Sequence, residues 1–108
     1  MRVITNTNII VDDFDYCKNF PKGFFIHFLT HFHADHYFGM STCWDYGPVY
    51  CTETTKKMIL STFTKIPNIT ALELNKKYTI KLNKEGTKEV DVHLFDANHI
   101  PGAVMILF

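Results

Sequence analysis

The order of apolar and polar positions along this chain predicts mostly strands. Val3 to Val11 carries β-branched residues around a polar "TNTN" and reads as a strand candidate. Phe24 to Thr30, "FFIHFLT", is apolar on both alternating faces, as expected of a strand covered on both sides. A short strand follows at Val49 to Cys51, and Thr52 then stands where a helix N-cap would, its hydroxyl able to accept from a free backbone N–H. A helix is predicted over Glu53 to Phe63, ending before Pro67. Further strands are expected at Ile69 to Leu74 and Tyr78 to Leu82, a turn at "NKEG", and a strand from Lys88 to Ala97. Within that last strand Val90, Val92 and Leu94 share one face while Asp91 and His93 share the other. A final apolar run, "AVMILF", reaches Phe108. Many strands and one clear helix imply an α/β or α+β layered domain. Because the final run has neither a turn nor a polar tail, residues 1–108 are expected to be part of a larger domain.

Composition narrows this picture. At 108 residues the chain holds at most one domain, and 46% hydrophobic with 20% charged residues excludes a disordered tail. Eleven basic residues balance eleven acidic ones, so bulk charge makes no case for nucleic-acid binding. Lys76, Lys77, Lys81, Lys84 and Lys88 crowd together, which a solvated hairpin face explains better than a basic patch. No run approaches the ~20 apolar residues of a membrane span, and the first ten residues lack the apolar core of a secretory signal. Cys17, Cys43 and Cys51 have no paired spacing, which suits a reducing compartment and a role as small buried apolar residues.

The chemistry concentrates in "THFHADHYFG", Thr30 to Gly39. Residues two apart on an extended segment point the same way, so His31 and His33 can aim both rings at one point. Zinc accepts imidazole nitrogen at about 2.0–2.1 Å and carboxylate oxygen at about 2.0–2.2 Å. Asp35 and His36 are expected to diverge from that pair, which suits a second metal or a carboxylate beside an activated water. The rival reading is a polar loop that is merely rich in histidine. A catalytic zinc site takes three protein ligands, and His99, in "FDANHIPGAV", is the natural third, with Asp96 able to orient an imidazole. Asp12 closes an apolar strand, where an acid either backs up the metal ligands or begins a turn. His27, inside "FIHFL", reads as a hydrogen-bonded core histidine, and His93 needs no special role.

"VDDFDY", "FLTHFHADHYFGM", "PVYCTETT" and "LFDANHIPGAVMILF" occur in this order. Together they resemble the DNA cross-link repair nucleases of the metallo-β-lactamase superfamily, the group of Artemis and Apollo, with the nearest likeness to the cross-link repair 1A type. "HFHADH" alone marks only the broad superfamily; "DANHIPGAV" is far more specific. The resemblance implies an αββα sandwich of which residues 1–108 are the first half, with a second half and an inserted cap domain lying elsewhere. It implies that His31, His33 and His99 hold one metal and that Asp35 and His36 belong to a second site, with Asp35 also catalytic and Asp12 at the acidic position that ends an early strand. Ile100 departs from the family pattern, which has cysteine at a position that is not a ligand.

The implied activity is metal-dependent 5′-to-3′ hydrolysis of DNA carrying a 5′-phosphate, in interstrand cross-link repair in the nucleus. Zinc is the implied metal, as one or two ions, and a mixed His/Asp site also admits manganese or iron. Alone, residues 1–108 are expected to bind metal weakly and turn over little. Two alternatives stand beside this reading: a non-catalytic product that binds metal or a partner, and another metallo-β-lactamase-type hydrolase acting on a thioester or lactam. Nothing in the sequence points to a membrane or to a particular protein partner.

Overall fold

The computed structural model describes residues 2–98 and 100–108. Ten elements follow one another: β1 (Arg2–Val3), β2 (Ile9–Val11), β3 (Ile26–Phe28), α1 (Ala34–Tyr37), β4 (Val49–Cys51), α2 (Glu53–Thr62), β5 (Ile69–Ala71), β6 (Lys77–Lys81), β7 (Glu89–Asp96) and β8 (Val104–Leu107). A single 3-10 turn, Tyr16–Asn19, lies between β2 and β3. One sheet has the order β1-β2-β3-β4-β5 and a second the order β6-β7-β8. In the first, β1 pairs antiparallel with β2, and β2, β3, β4 and β5 are parallel. The second is wholly antiparallel. The fold is α/β, with parallel and antiparallel sheets.

Side-chain alternation sorts the strands into layers. Ile9, Val11, Ile26 and Phe28 of the first sheet pack with Ile80, Val92, Leu94 and Val104 of the second. Their alternate neighbours Ile10, Phe25, Leu29, Val49 and Cys51 face the other way, against Phe14, Trp44 and Ile59 of α2. The central strand β3 is therefore covered on both sides, as its doubly apolar pattern predicts. Phe14, Phe28, Ile9, Ile10 and Ile59 are fully buried, each contributing roughly 1.5–3 kcal/mol of transfer free energy.

Thr52 caps α2, its Oγ1 accepting from Thr55 N at 3.2 Å. The helix ends one residue short of the expected Phe63. The predicted strand from Val3 to Val11 is instead a hairpin. Asn6 adopts a left-handed φ of 61°, and the Thr7 hydroxyl donates to Ile4 O at 2.7 Å, so side chain and backbone turn the chain where "TNTN" stands. Ile69–Leu74 is strand only to Ala71.

Two expectations for single residues need correction. Cys17 and Cys51 are buried, and burial pushes their thiols up to about 11 and about 12, so both stay protonated and inert. Cys43, however, is exposed, because it lies in the irregular segment before Trp44 and not on a strand. His27 is fully buried, but neither ring nitrogen finds a hydrogen-bond partner among the described residues. Its imidazole sits among Phe14, Phe25 and Trp44, with centroids 5.3, 6.5 and 4.8 Å away. Burial in that apolar surrounding lowers its pKa to about 4, against weaker opposing pulls from Asp13 and the nearby Pro48 backbone, which lies outside hydrogen-bonding geometry for the ring.

Candidate metal centre

The parallel strands β2 and β3 both end at the same edge, and their first residues beyond it carry the polar chemistry. Open α/β sheets bind ligands at this place, outside the carboxyl ends of parallel strands. Asp12 follows β2 with a left-handed φ of 57°, and its N–H donates to Phe28 O at 2.9 Å, keeping it in line with β3. Its side chain is almost entirely buried, which a carboxylate tolerates only when well hydrogen-bonded.

Thr30 supplies most of that bonding. Its N–H donates to Asp12 Oδ1 at 2.8 Å and its hydroxyl donates to Asp12 Oδ2 at 2.7 Å. The same hydroxyl oxygen lies 2.9 Å from His31 Nδ1, and His36 Nδ1 lies 3.0 Å from Asp12 Oδ2. An ionised carboxylate only accepts. The Thr30 proton therefore goes to Asp12, Thr30 Oγ1 accepts from His31 Nδ1–H, and Asp12 accepts from His36 Nδ1–H. Both imidazoles are fixed as the tautomer with its lone pair on Nε2, the usual way a hydrogen-bonded carboxylate prepares a histidine ligand.

His33 enters from an extended conformation, φ −133° and ψ 141°, and starts the single turn of α1. Its carbonyl accepts from His36 N at 2.8 Å and Tyr37 N at 3.1 Å. That turn carries His36 back toward the first pair, since residues three apart on a helix share a face. The geometry differs from the expected divergence: His31 and His36 ring centroids are 4.1 Å apart, and His33 and His36 are 6.0 Å apart. One nitrogen from each of His31, His33 and His36 lies within 4.8 Å of the others. Three imidazoles with two tautomers already fixed form a donor set that zinc accepts.

Asp35 points outward. Its side chain is 86% exposed, with Oδ2 3.8 Å from His33 Nδ1. It borders a cavity of about 630 Å³ together with Asp12, Asp13, Asp15, Tyr16 and Phe38. A second cavity, about 480 Å³, joins Asp12, Thr30, His31 and His36 to Ala97, Ala103 and Val104. The segment after β7 thus lies against the histidines. His99, expected as a ligand, falls outside the described residues. Val104 N donates to Thr30 O at 2.9 Å, and the Thr52 and Thr55 hydroxyls donate to Gly102 O at 3.1 and 3.2 Å. Asp96 is exposed and its Oδ1 accepts from Asn98 N at 2.8 Å, closing a local turn. It borders a cavity near the start of α2, apart from the histidines.

Thr30 is the residue that sequence reasoning passed over. It bridges Asp12, His31 and Val104, and the available signal was a hydroxyl placed between an apolar strand and the first histidine.

Several curated proteins are similar to nearly the whole of this chain. DNA cross-link repair protein SNM1 of Arabidopsis thaliana is 40% identical over 106 residues, covering 97% of this chain and 20% of its own length. The 5′ exonuclease Apollo of Danio rerio is 38% identical over 108 residues, 99% of this chain and 19% of its own. This chain is a relative of the DNA cross-link repair proteins. The DNA cross-link repair 1A protein of Homo sapiens is 40% identical over 108 residues, 97% of this chain and 9% of its own. The chain spans about a fifth of the length of the first two relatives. No family model matches it.

Proposed function

We propose that this chain forms the metal-holding part of a metallo-β-lactamase-type nuclease that hydrolyses DNA 5′-to-3′ from a 5′-phosphorylated end, in interstrand cross-link repair in the nucleus. The observation that carries the reading is the convergence of His31, His33 and His36 within 4.8 Å at the carboxyl edge of β2 and β3. The relatives' names supply the reaction class, and the two stacked sheets with helices on one side suit the first half of an αββα sandwich.

His31, His33 and His36 would hold zinc, with His99 joining from the segment after β7. Zinc held there supplies a Lewis acid and a water acidic enough to ionise near pH 7. Asp12 and Thr30 keep two imidazoles in the ligating tautomer. Asp35, open to solvent beside His33, orients the attacking water and takes its proton on Oδ2. The water oxygen adds to phosphorus in line while the bond to the leaving oxygen breaks, and that oxygen departs as a hydroxyl with the proton that Asp35 took up. A dedicated acceptor beside the cluster matters because Asp12 is occupied by Thr30 and His36.

The test is a graft. This chain replaces the matching 108 residues of the zebrafish relative, and cleavage of 5′-phosphorylated single-stranded DNA is followed with zinc. Cleavage that falls at least 100-fold with His33→Ala is expected. A graft that folds and binds zinc yet leaves the DNA intact contradicts the reading.

A further inference from the structure

We propose that Phe38 is a positioning residue that stacks a nucleobase of the DNA strand next to the histidine cluster, an inference that rests on the nuclease reading. Phe38 is 68% exposed, more than Phe24, Met105 or Leu107. A phenyl ring left in water forgoes the free energy of burial, and its neighbours Tyr37 and Met40 pack with the core while Phe38 stays exposed.

Its backbone is pinned. Phe14 N donates to Phe38 O at 3.1 Å. The next residue, Gly39, has φ +95°, and a Cβ there would lie 2.4 Å from Phe14 O. The backbone is thus pressed onto Phe14 immediately after the ring, leaving the side chain directed away from the core. Phe38 follows His36 by two residues and borders the same cavity as Asp12 and Asp35, and Asp12 in turn bonds His36 of the cluster.

Charge selects which part of a nucleotide enters. Asp12, Asp13, Asp15 and Asp35 border that cavity, which repels a phosphate but not a neutral base. A base can lay its face on Phe38 and turn exocyclic N–H groups toward carboxylate oxygens. The phosphate then stays on the side of the histidines, where a cation would offset its charge. Stacking on an aromatic ring tolerates any base, so Phe38 sets position more than sequence preference.

The probe is a 5′-phosphorylated single-stranded oligonucleotide with 2-aminopurine at its first, second or third base, mixed rapidly with the chain and zinc ahead of cleavage. Stacking quenches 2-aminopurine, so quenching at one of these positions is expected. Phe38→Ala should lose that quenching and bind about 10-fold or more weakly, while Phe38→Trp restores both and Phe24→Ala changes neither. Equal quenching in wild type and Phe38→Ala, or equal loss in Phe24→Ala, overturns the proposal. So does an arginine-rich peptide that binds only when Phe38 is present while DNA binding ignores it, since the acidic cavity then serves a cationic protein ligand. If the graft still cleaves DNA in a His33-dependent way, only the stacking role falls. If the graft cleaves nothing and the oligonucleotide does not bind, both readings fall together.

Discussion

Acidification from pH 7 to pH 4 tests the burial of His27. Folding places its imidazole among Phe14, Phe25 and Trp44 with no ring hydrogen bond among the described residues, and lowers its pKa from 6.5 to about 4. The unfolded chain takes up a proton below pH 6.5 while the folded chain does not until about pH 4. Stability from this residue is therefore complete above pH 6.5, declines as pH falls, and levels off below about 4. A tenfold in proton affinity is worth about 1.4 kcal/mol, so the decline amounts to about 3 kcal/mol across the window. Leucine fills a similar volume without a titrating group and removes two unsatisfied nitrogens, so His27→Leu should match or exceed wild-type stability at pH 5. Urea denaturation of both proteins from pH 4 to 7.5 measures this, and the difference between the two curves cancels the other histidines. Parallel stability curves for the two proteins would refute a neutral, buried His27.

Asp12→Ala removes the acceptor that orients His36 and anchors Thr30; zinc affinity, by competition with a chromophoric chelator, should fall about 10- to 100-fold. Thr30→Val keeps the shape but loses the hydroxyl contacts to Asp12 and His31, and should weaken zinc about 10-fold in the same assay. Gly102→Ala forces a Cβ to 2.8 Å from Thr55 Oγ1 at a φ of +85°; a loss of about 2 kcal/mol is expected by thermal unfolding. Thr52→Ala removes the cap of α2 and one bond to Gly102, costing about 1 kcal/mol in the same measurement.

Much of this architecture is legible in local pattern. The doubly apolar "FFIHFLT" announced a central strand, and Thr52 announced the start of α2, because burial on two faces and an N-cap hydroxyl each leave a short-range signature. The "TNTN" segment was harder. Its turn depends on Asn6 entering a left-handed conformation and on Thr7 bonding back to Ile4, choices that strand propensity does not record. Which strands neighbour one another was not legible at all, since parallel pairing of β2 with β3 is a contact between distant segments.

The site divides in the same way. The histidines were visible by spacing, but the position of His36 depends on a single helical turn after His33, which brings it to His31. Asp12 was visible only as an acid after a strand. Its bonds to Thr30 and His36 exist because two parallel strands end at one edge, a relation that no local window contains. His27 shows the opposite failure: its burial followed from the pattern, yet the pattern could not reveal that its partners are three aromatic rings.

The central claim is that His31, His33 and His36 hold a metal. Zinc K-edge X-ray absorption on this chain loaded with one equivalent of zinc tests it most directly. Three or more imidazole nitrogens at about 2.0–2.1 Å, reduced by one in His36→Ala, is the predicted result. A shell of water and carboxylate oxygens unchanged by His36→Ala would contradict it.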